Sequence, residues 1–173
     1  MKLPRPELTI RPFAQFDSPE ELASLVRTAY APIAALGLKV SGASLTHETL
    51  LKRLASGNCL VAECGGKLIG TLLIRPRFLT PQCAFLASEG LAYFYQFAVL
   101  PEFQRQGVGT LLQDAGERYA RRLGYTMVAG DTPEPLEHLV RYYLRRGRQI
   151  VDYVTWNTQN FRSVVTAKAL SDA

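Results

Sequence analysis

Apolar and polar positions along the chain fall into short stretches with two different periods. Over residues 7–13, Leu8 and Ile10 alternate with Thr9 and Arg11, the period of a half-buried strand. Ser18, Pro19, Glu20 and Glu21 then supply an N-cap, a first-turn proline and first-turn acids, and the helix they start carries Leu22, Leu25, Val26 and Ala29 on one face. Residues 31–45 are irregular and rich in Ala, Gly and Ser. Thr46, or nearby Ser44, caps a second helix with Leu50, Leu51 and Leu54 turned inward, and Gly57-Asn58 ends it. Residues 59–64 and 68–74 pair as a hairpin around Gly65-Gly66-Lys67, and 75–90 form a loop.

The stretch 91–100 is strongly β-prone. Simple alternation puts Tyr93, Tyr95, Phe97 and Val99 on one face and Phe94, Gln96 and Ala98 on the other, so both faces are covered, as in a central strand. After Pro101 comes a glycine-bearing loop, then a helix with Val108, Leu111, Leu112, Ala115 and Tyr119 at helical spacing and Gly124 as its stop. A buried-type strand over 125–130 follows. The next helix, 135–146, turns Leu136, Leu139, Val140, Tyr143 and Leu144 inward and stops at Gly147. Two strands, 149–156 and 161–168, close the chain. With no repeat and no composition shift to mark a linker, this order predicts one α/β (α+β) domain over 1–173, a mixed sheet with helices on both faces.

Composition narrows the functional classes. The chain has 173 residues, 47% of them hydrophobic, which at roughly 100–200 residues per domain is enough for one proper core. No apolar run approaches the roughly 18 residues that span a bilayer, and the start, Met1 to Pro6, is broken by prolines; a soluble, cytoplasmic protein is expected. Cys59, Cys64 and Cys83 cannot all pair and none sits in a CxxC, so they are expected as reduced core thiols. His47 and His138 lie near no pair of cysteines, and no metal is expected. The net charge of +5 suits nucleic acid, an acidic membrane surface or a small polyanion, and only its location can choose among them.

The chemistry-bearing stretch runs from Val99 to Thr110, where a central strand enters a loop with glycines at 107 and 109 and a helix begins. Glycines let the backbone approach a ligand, and a helix start offers unpaired N–H groups with partial positive charge, an arrangement that binds phosphate. No GxxxxGK[ST] is present, and the third glycine and acidic residue of a dinucleotide fingerprint are missing.

Gln104, Gly107 and Gly109, preceded by Val99-Leu100-Pro101, resemble the Gln/Arg-x-x-Gly-x-Gly/Ala signature of the GCN5-related N-acetyltransferase (GNAT) superfamily. Tyr142 to Gly147 resembles that family's Phe-Tyr-x-Lys-x-Gly segment. The resemblance implies an acyl-CoA N-acyltransferase fold. Its sheet has six to seven mostly antiparallel strands, with about four helices and two parallel central strands that splay apart. It further implies acetyl-CoA as co-substrate. The backbone of Phe97, Ala98 and Val99 would pair with the pantetheine arm, and the pyrophosphate would be held by Gln104, Arg105, Gln106, Gly107, Val108, Gly109 and Thr110. Tyr143 takes the place of the tyrosine that protonates the departing thiolate. The acceptor would be a primary amine of a small molecule or peptide, attacking directly in a ternary complex. Dimerisation through the last strands is common in such folds.

Several positions depart from that pattern. Leu136 stands where an asparagine is usual, leaving Asp131 or Thr132 to supply its contact, and Arg148 replaces an aromatic. Tyr93 stands where some members carry a glutamate base, so Glu89 or a water chain becomes the candidate base. These departures support a second reading, a non-catalytic acyl-CoA sensor. A nucleic-acid role is disfavoured: Arg141, Arg145, Arg146 and Arg148 form a solvated basic face, or part of one that meets the 3′-phosphate of CoA, without interleaved aromatics. Tyr93-Phe94-Tyr95 and the 31–45 segment point to a partly apolar acceptor pocket.

Overall fold

The protein was described through a computed structural model covering residues 7–171; the proline-broken start and the last two residues lie outside the described residues. The elements, in chain order, are β1 (Leu8–Pro12), α1 (Pro19–Ala34), α2 (His47–Ser56), β2 (Asn58–Cys64), β3 (Lys67–Pro76), β4 (Leu91–Val99), α3 (Val108–Arg122), β5 (Met127–Pro133), α4 (Glu137–Arg145), β6 (Gln149–Val154) and β7 (Ser163–Ala169). The strands form one seven-stranded sheet in the order β1-β2-β3-β4-β5-β7-β6. Every pairing is antiparallel except β4 with β5. A core of Leu22, Leu25, Val26, Leu50, Val61 and Leu73, among others, joins α1 and α2 to the sheet.

Helix starts follow the capping residues. Ser18 Oγ accepts from Glu21 N at 3.2 Å, and Thr46 rather than Ser44 caps α2, accepting from Thr49 N at 3.1 Å. Leu51, Leu111 and Leu144, expected inward, are exposed. Each sits beside a neighbour that faces the protein (Leu50, Leu112, Tyr143), and a one-sided helix turns adjacent positions about 100° apart. The irregular 31–45 segment contains the end of α1 and a 3-10 turn at Ser41–Ser44, and the 75–90 loop contains another at Ala84–Ala87.

The alternation expected for β4 fails in its middle. Thr71 pairs with Ala98 but Leu73 pairs with Tyr95, so β4 carries one extra residue, and Gln96 takes a left-handed φ of 49°. The bulge reverses the faces beyond it. Phe97 and Val99 therefore join Phe94 against α3 instead of sharing a face with Tyr93 and Tyr95. Glycines in α3 admit them: a Cβ on Gly109 would lie 3.0 Å from Phe97 Cζ, and one on Gly116 would lie 2.6 Å from Leu72 Cδ2 and 3.0 Å from Phe94 Cε2.

Beside the bulge, β5 leaves β4. Only Leu91, Ala92 and Tyr93 pair with β5, at Met127, Val128 and Ala129, whereas β5 pairs with β7 along its whole length. The expected splay of the two parallel strands thus opens after Tyr93.

Gly116→Val is expected to cost about 2 kcal/mol, since the side chain has no space between Leu72 and Phe94. Urea unfolding of the variant measures it.

Candidate active site

The segment between β4 and α3 leaves its amides unsatisfied. Gln104 N pairs with Pro101 O at 3.2 Å and Leu111 N with Gly107 O at 3.0 Å; between them, the amides of Arg105, Gln106, Gly107, Val108, Gly109 and Thr110 meet no backbone acceptor of ordinary geometry. Arg105 (φ 57°) and Gly107 (φ 86°) are both left-handed, which turns successive N–H groups toward one side as an anion-binding nest. The two signature glycines have different reasons to be glycine. Gly107 needs its positive φ, while a Cβ there would touch nothing within 4 Å; Gly109 has ordinary helical backbone and is small because Phe97 packs on it.

Side chains hold the loop in this shape. Gln104 Nε2 donates to Val99 O at 2.9 Å and Gln106 Nε2 to Glu102 O at 2.7 Å, so both amide side chains are engaged within the protein. Leu100 N donates to Ile69 O of β3 at 2.9 Å, so Phe97 and Val99 present their peptide groups to the side that β5 has left. On that side the Tyr30 hydroxyl donates to Phe97 O at 3.1 Å. Sequence reasoning gave no sign of Tyr30, whose place depends on how α1 crosses the sheet.

Tyr143 is half-buried at the same opening, in edge contact with Tyr142, which in turn stacks on Phe97. Burial pushes its phenol up to about 12, against the opposing pull of the Arg148 guanidinium. Arg148 lies 4.8 Å from the Tyr143 ring centroid and 5.6 Å from that of Phe94, and its Nη2 donates to Gln113 Oε1 at 3.1 Å. It is only 3% exposed, forms no ion pair with any described residue, and burial lowers its basicity. The position where the family usually has an aromatic is thus filled by a cation lying on aromatic rings.

The basic face expected from the arginine run is largely internal. Arg146 pairs with Asp114 at 2.6 Å and Glu117 at 3.2 Å, and Arg148 is buried; only Arg141 and Arg145 are exposed. The +5 charge therefore has no concentrated outlet on this helix.

On the sheet face opposite α3, Asp131 of β5 is held by the Tyr93 hydroxyl and by Trp156 Nε1 at 3.0 Å. Phe78 packs edge-on to Tyr93 and stacks on Trp156, Tyr93 stacks on Tyr95, and the Arg75 guanidinium lies 4.2 Å over Phe78. Burial and the Asp131 charge raise the Tyr93 phenol well above its usual range, so it remains a donor to Asp131. Glu89 is elsewhere, an exposed loop carboxylate paired with Arg77 at 2.7 Å. Leu136 is buried at the start of α4 and Thr132 is buried in β5. Asp131, one of the two candidates for the asparagine's contact, is engaged by Tyr93 and Trp156. Among the described residues there is no cluster of three His, Cys, Asp or Glu side chains able to hold a metal, and no helix is long and apolar enough to cross a membrane. Cys59 and Cys83 are buried, and none of the three cysteines forms a disulfide; burial pushes the Cys59 thiol up to about 12.

This arrangement can cradle a diphosphate on the loop amides, accept an extended chain along the free edge of β4, and offer a phenol and a carboxylate at the point where the strands part. Residues 27–147 match the profile of the acetyltransferase (GNAT) family. The chain is 31% identical over 130 residues, 74% of its length and 76% of the relative's, to S-(2-succino)cysteine N-acetyltransferase of Bacillus subtilis (strain 168). It is 26% identical over 140 residues to S-alkylcysteine N-acetyltransferase of the same organism, covering 79% of this chain and 76% of that one. Its fold resembles that of a GNAT family acetyltransferase from Elizabethkingia anophelis with acetyl-CoA bound, at a TM-score of 0.67 and 17% identity, over 94% of this chain and 97% of that one. With the cradle, the splay and these matches together, the chain belongs to the GNAT family of acetyltransferases.

Proposed function

We propose that the chain, as one cytoplasmic domain over 1–173, transfers the acetyl group of acetyl-CoA to the primary amine of a small cysteine-derived acceptor. The observation that carries this is the run of unpaired amides from Arg105 to Thr110 beside the gap between β4 and β5. Those amides would hold the pyrophosphate, and the peptide edge at Phe97, Ala98 and Val99 the pantetheine arm. Gln104 contributes by tying the loop to Val99, and Gly109 by letting α3 approach Phe97. The acceptor class rests on the two Bacillus subtilis relatives, whose names give S-(2-succino)cysteine and S-alkylcysteine as their substrates.

The bound thioester supplies an activated acetyl group. Direct attack by an amine needs no protein nucleophile. Asp131, set in the aromatic wall by Tyr93 and Trp156, is the carboxylate placed to take the amine's proton, directly or through water. With Asp131 as acceptor of the proton, the missing strand glutamate no longer favours a non-catalytic sensor over an enzyme. Tyr143, kept protonated by burial, hands its proton to the thiolate as the C–S bond breaks. Arg148 sits on its ring and stabilises the negative charge that the phenol then takes on.

Three outcomes are expected. Gly107→Glu places a carboxylate among the loop amides and abolishes acetyl-CoA binding measured by calorimetry, with the fold intact by circular dichroism. Tyr143→Phe lowers kcat about 100-fold with acetyl-CoA affinity unchanged, and in the parent enzyme kcat shows no alkaline fall below about pH 10 because the phenol is still protonated there. Arg148→Met, which removes the cation but keeps the volume, raises the titration midpoint of a 3-fluorotyrosine placed at 143 by about 1 pH unit, read by fluorine NMR.

A further inference from the structure

The bulge in β4 and the last turn of α2 build a second charged feature that the acetyl-transfer machinery does not use. Arg53 of α2 donates from Nη1 to Gln96 Oε1 at 2.6 Å and from Nη2 to Ser41 Oγ at 3.2 Å, and it forms no ion pair with any described residue. Gln96 is 6% exposed, and its Nε2 is buried without a hydrogen-bond partner. An arginine fixed by neutral partners, beside an amide donor with no hydrogen bond of its own, is a donor set suited to an anion. Arg53 lines a cleft of about 840 Å³ together with Lys39, Ser41, Ser44 and Thr158, and among the described residues no acidic side chain lines it. Asn160 ties down the segment that carries Lys39: its Oδ1 accepts from Lys39 N at 2.8 Å and its Nδ2 donates to Gly37 O at 2.9 Å.

Arg53 meets β4 just past the point where β5 leaves it. Gln96, which it grips, directly precedes Phe97, whose carbonyl accepts from the Tyr30 hydroxyl at 3.1 Å. Along β4, Gln96 lies three residues beyond Tyr93, which grips Asp131. An acceptor amine beside Asp131 would place an adjoining carboxylate toward Arg53 and Gln96.

We propose that Arg53, positioned by Gln96 and Ser41, binds the α-carboxylate of the acceptor, so that the enzyme selects free amino acids over peptide N-termini and simple alkyl amines. This rests on the acetyltransferase reading and specifies its acceptor. A peptide N-terminus carries an amide where the carboxylate would be, and an alkyl amine carries nothing there; both leave the cation unpaired.

The test compares S-methylcysteine with S-methylcysteine amide in the intact protein and in Arg53→Met and Arg53→Lys. In the parent, the acid is expected to have kcat/KM about 100-fold above the amide, mostly through KM. Arg53→Met should remove that preference while leaving kcat/KM for the amide within about twofold, and Arg53→Lys should restore part of it. Equal turnover of acid and amide by the parent, or a preference that survives Arg53→Met, overturns the proposal. If neither compound is acetylated, saturation-transfer NMR of their binding in the presence of CoA decides: acid bound and amide not, with the difference lost in Arg53→Met, supports the carboxylate site although the acceptor reading has failed. Binding of neither, or of both alike, overturns it. Acetyl-CoA binding to Arg53→Met, unchanged from the parent, serves as the check that the variant is folded.

Discussion

Seven strands could form a closed ladder from edge to edge, but β4 and β5 stay paired for three residues and then separate. The site depends on that separation. A parallel pairing continued past Tyr93 and Ala129 would consume the peptide groups at Phe97 and Val99 in the ladder and cover the gap into which Tyr143 and Asp131 project. Two local features accompany it. Gln96 adds a residue to β4 and turns it, and Gly130 brings β5 close at the branch point, where a Cβ would lie 2.9 Å from Phe94 O. On its other edge β5 is fully paired with β7, so it is held away from β4 by a complete ladder.

Once the strands part, the neighbouring elements take on functions set by which side of the gap they reach. The turn into α3 meets it with unpaired amides and the positive end of a helix. The end of α4 brings Tyr143, backed by a buried arginine in place of the family's usual aromatic. On the opposite face, α1 and α2 bring Tyr30 and Arg53, and the wall of Phe78, Tyr93, Tyr95 and Trp156 fixes Asp131. In the proposed reading, the loop amides meet the co-substrate's phosphates, Arg53 the acceptor's carboxylate, and Asp131 the proton that the amine must lose. Arg146 is taken up in internal pairs, and α4 carries no continuous basic surface.

How much of this was legible in the sequence follows from which interactions are local. Capping residues, helical stripes and the Gln104–Gly109 signature are local, and they located the elements, the loop and Tyr143. The faces of β4 beyond Tyr95 were misassigned because a bulge leaves no mark in a period-two pattern; Gln96 looks like any polar strand residue. The arginines from 141 to 148 read as a solvated run, yet Arg146 pairs with Asp114 and Glu117 of α3, and Arg148 bonds Gln113 of α3 and lies on Phe94 of β4, contacts across at least 29 residues of sequence. The Asp131 wall and the Arg53–Gln96 pair join residues from distant parts of the chain, so no spacing rule could have assembled them.

The central claim is that the gap beside β4 and the amides heading α3 form one co-substrate site. Hydrogen–deuterium exchange with and without acetyl-CoA tests it most directly. The account predicts slowed exchange at the amides of Phe97, Val99 and Arg105 to Thr110, with little change in β1, β2 and β6. Protection confined to other regions, or binding without protection of these amides, would contradict it.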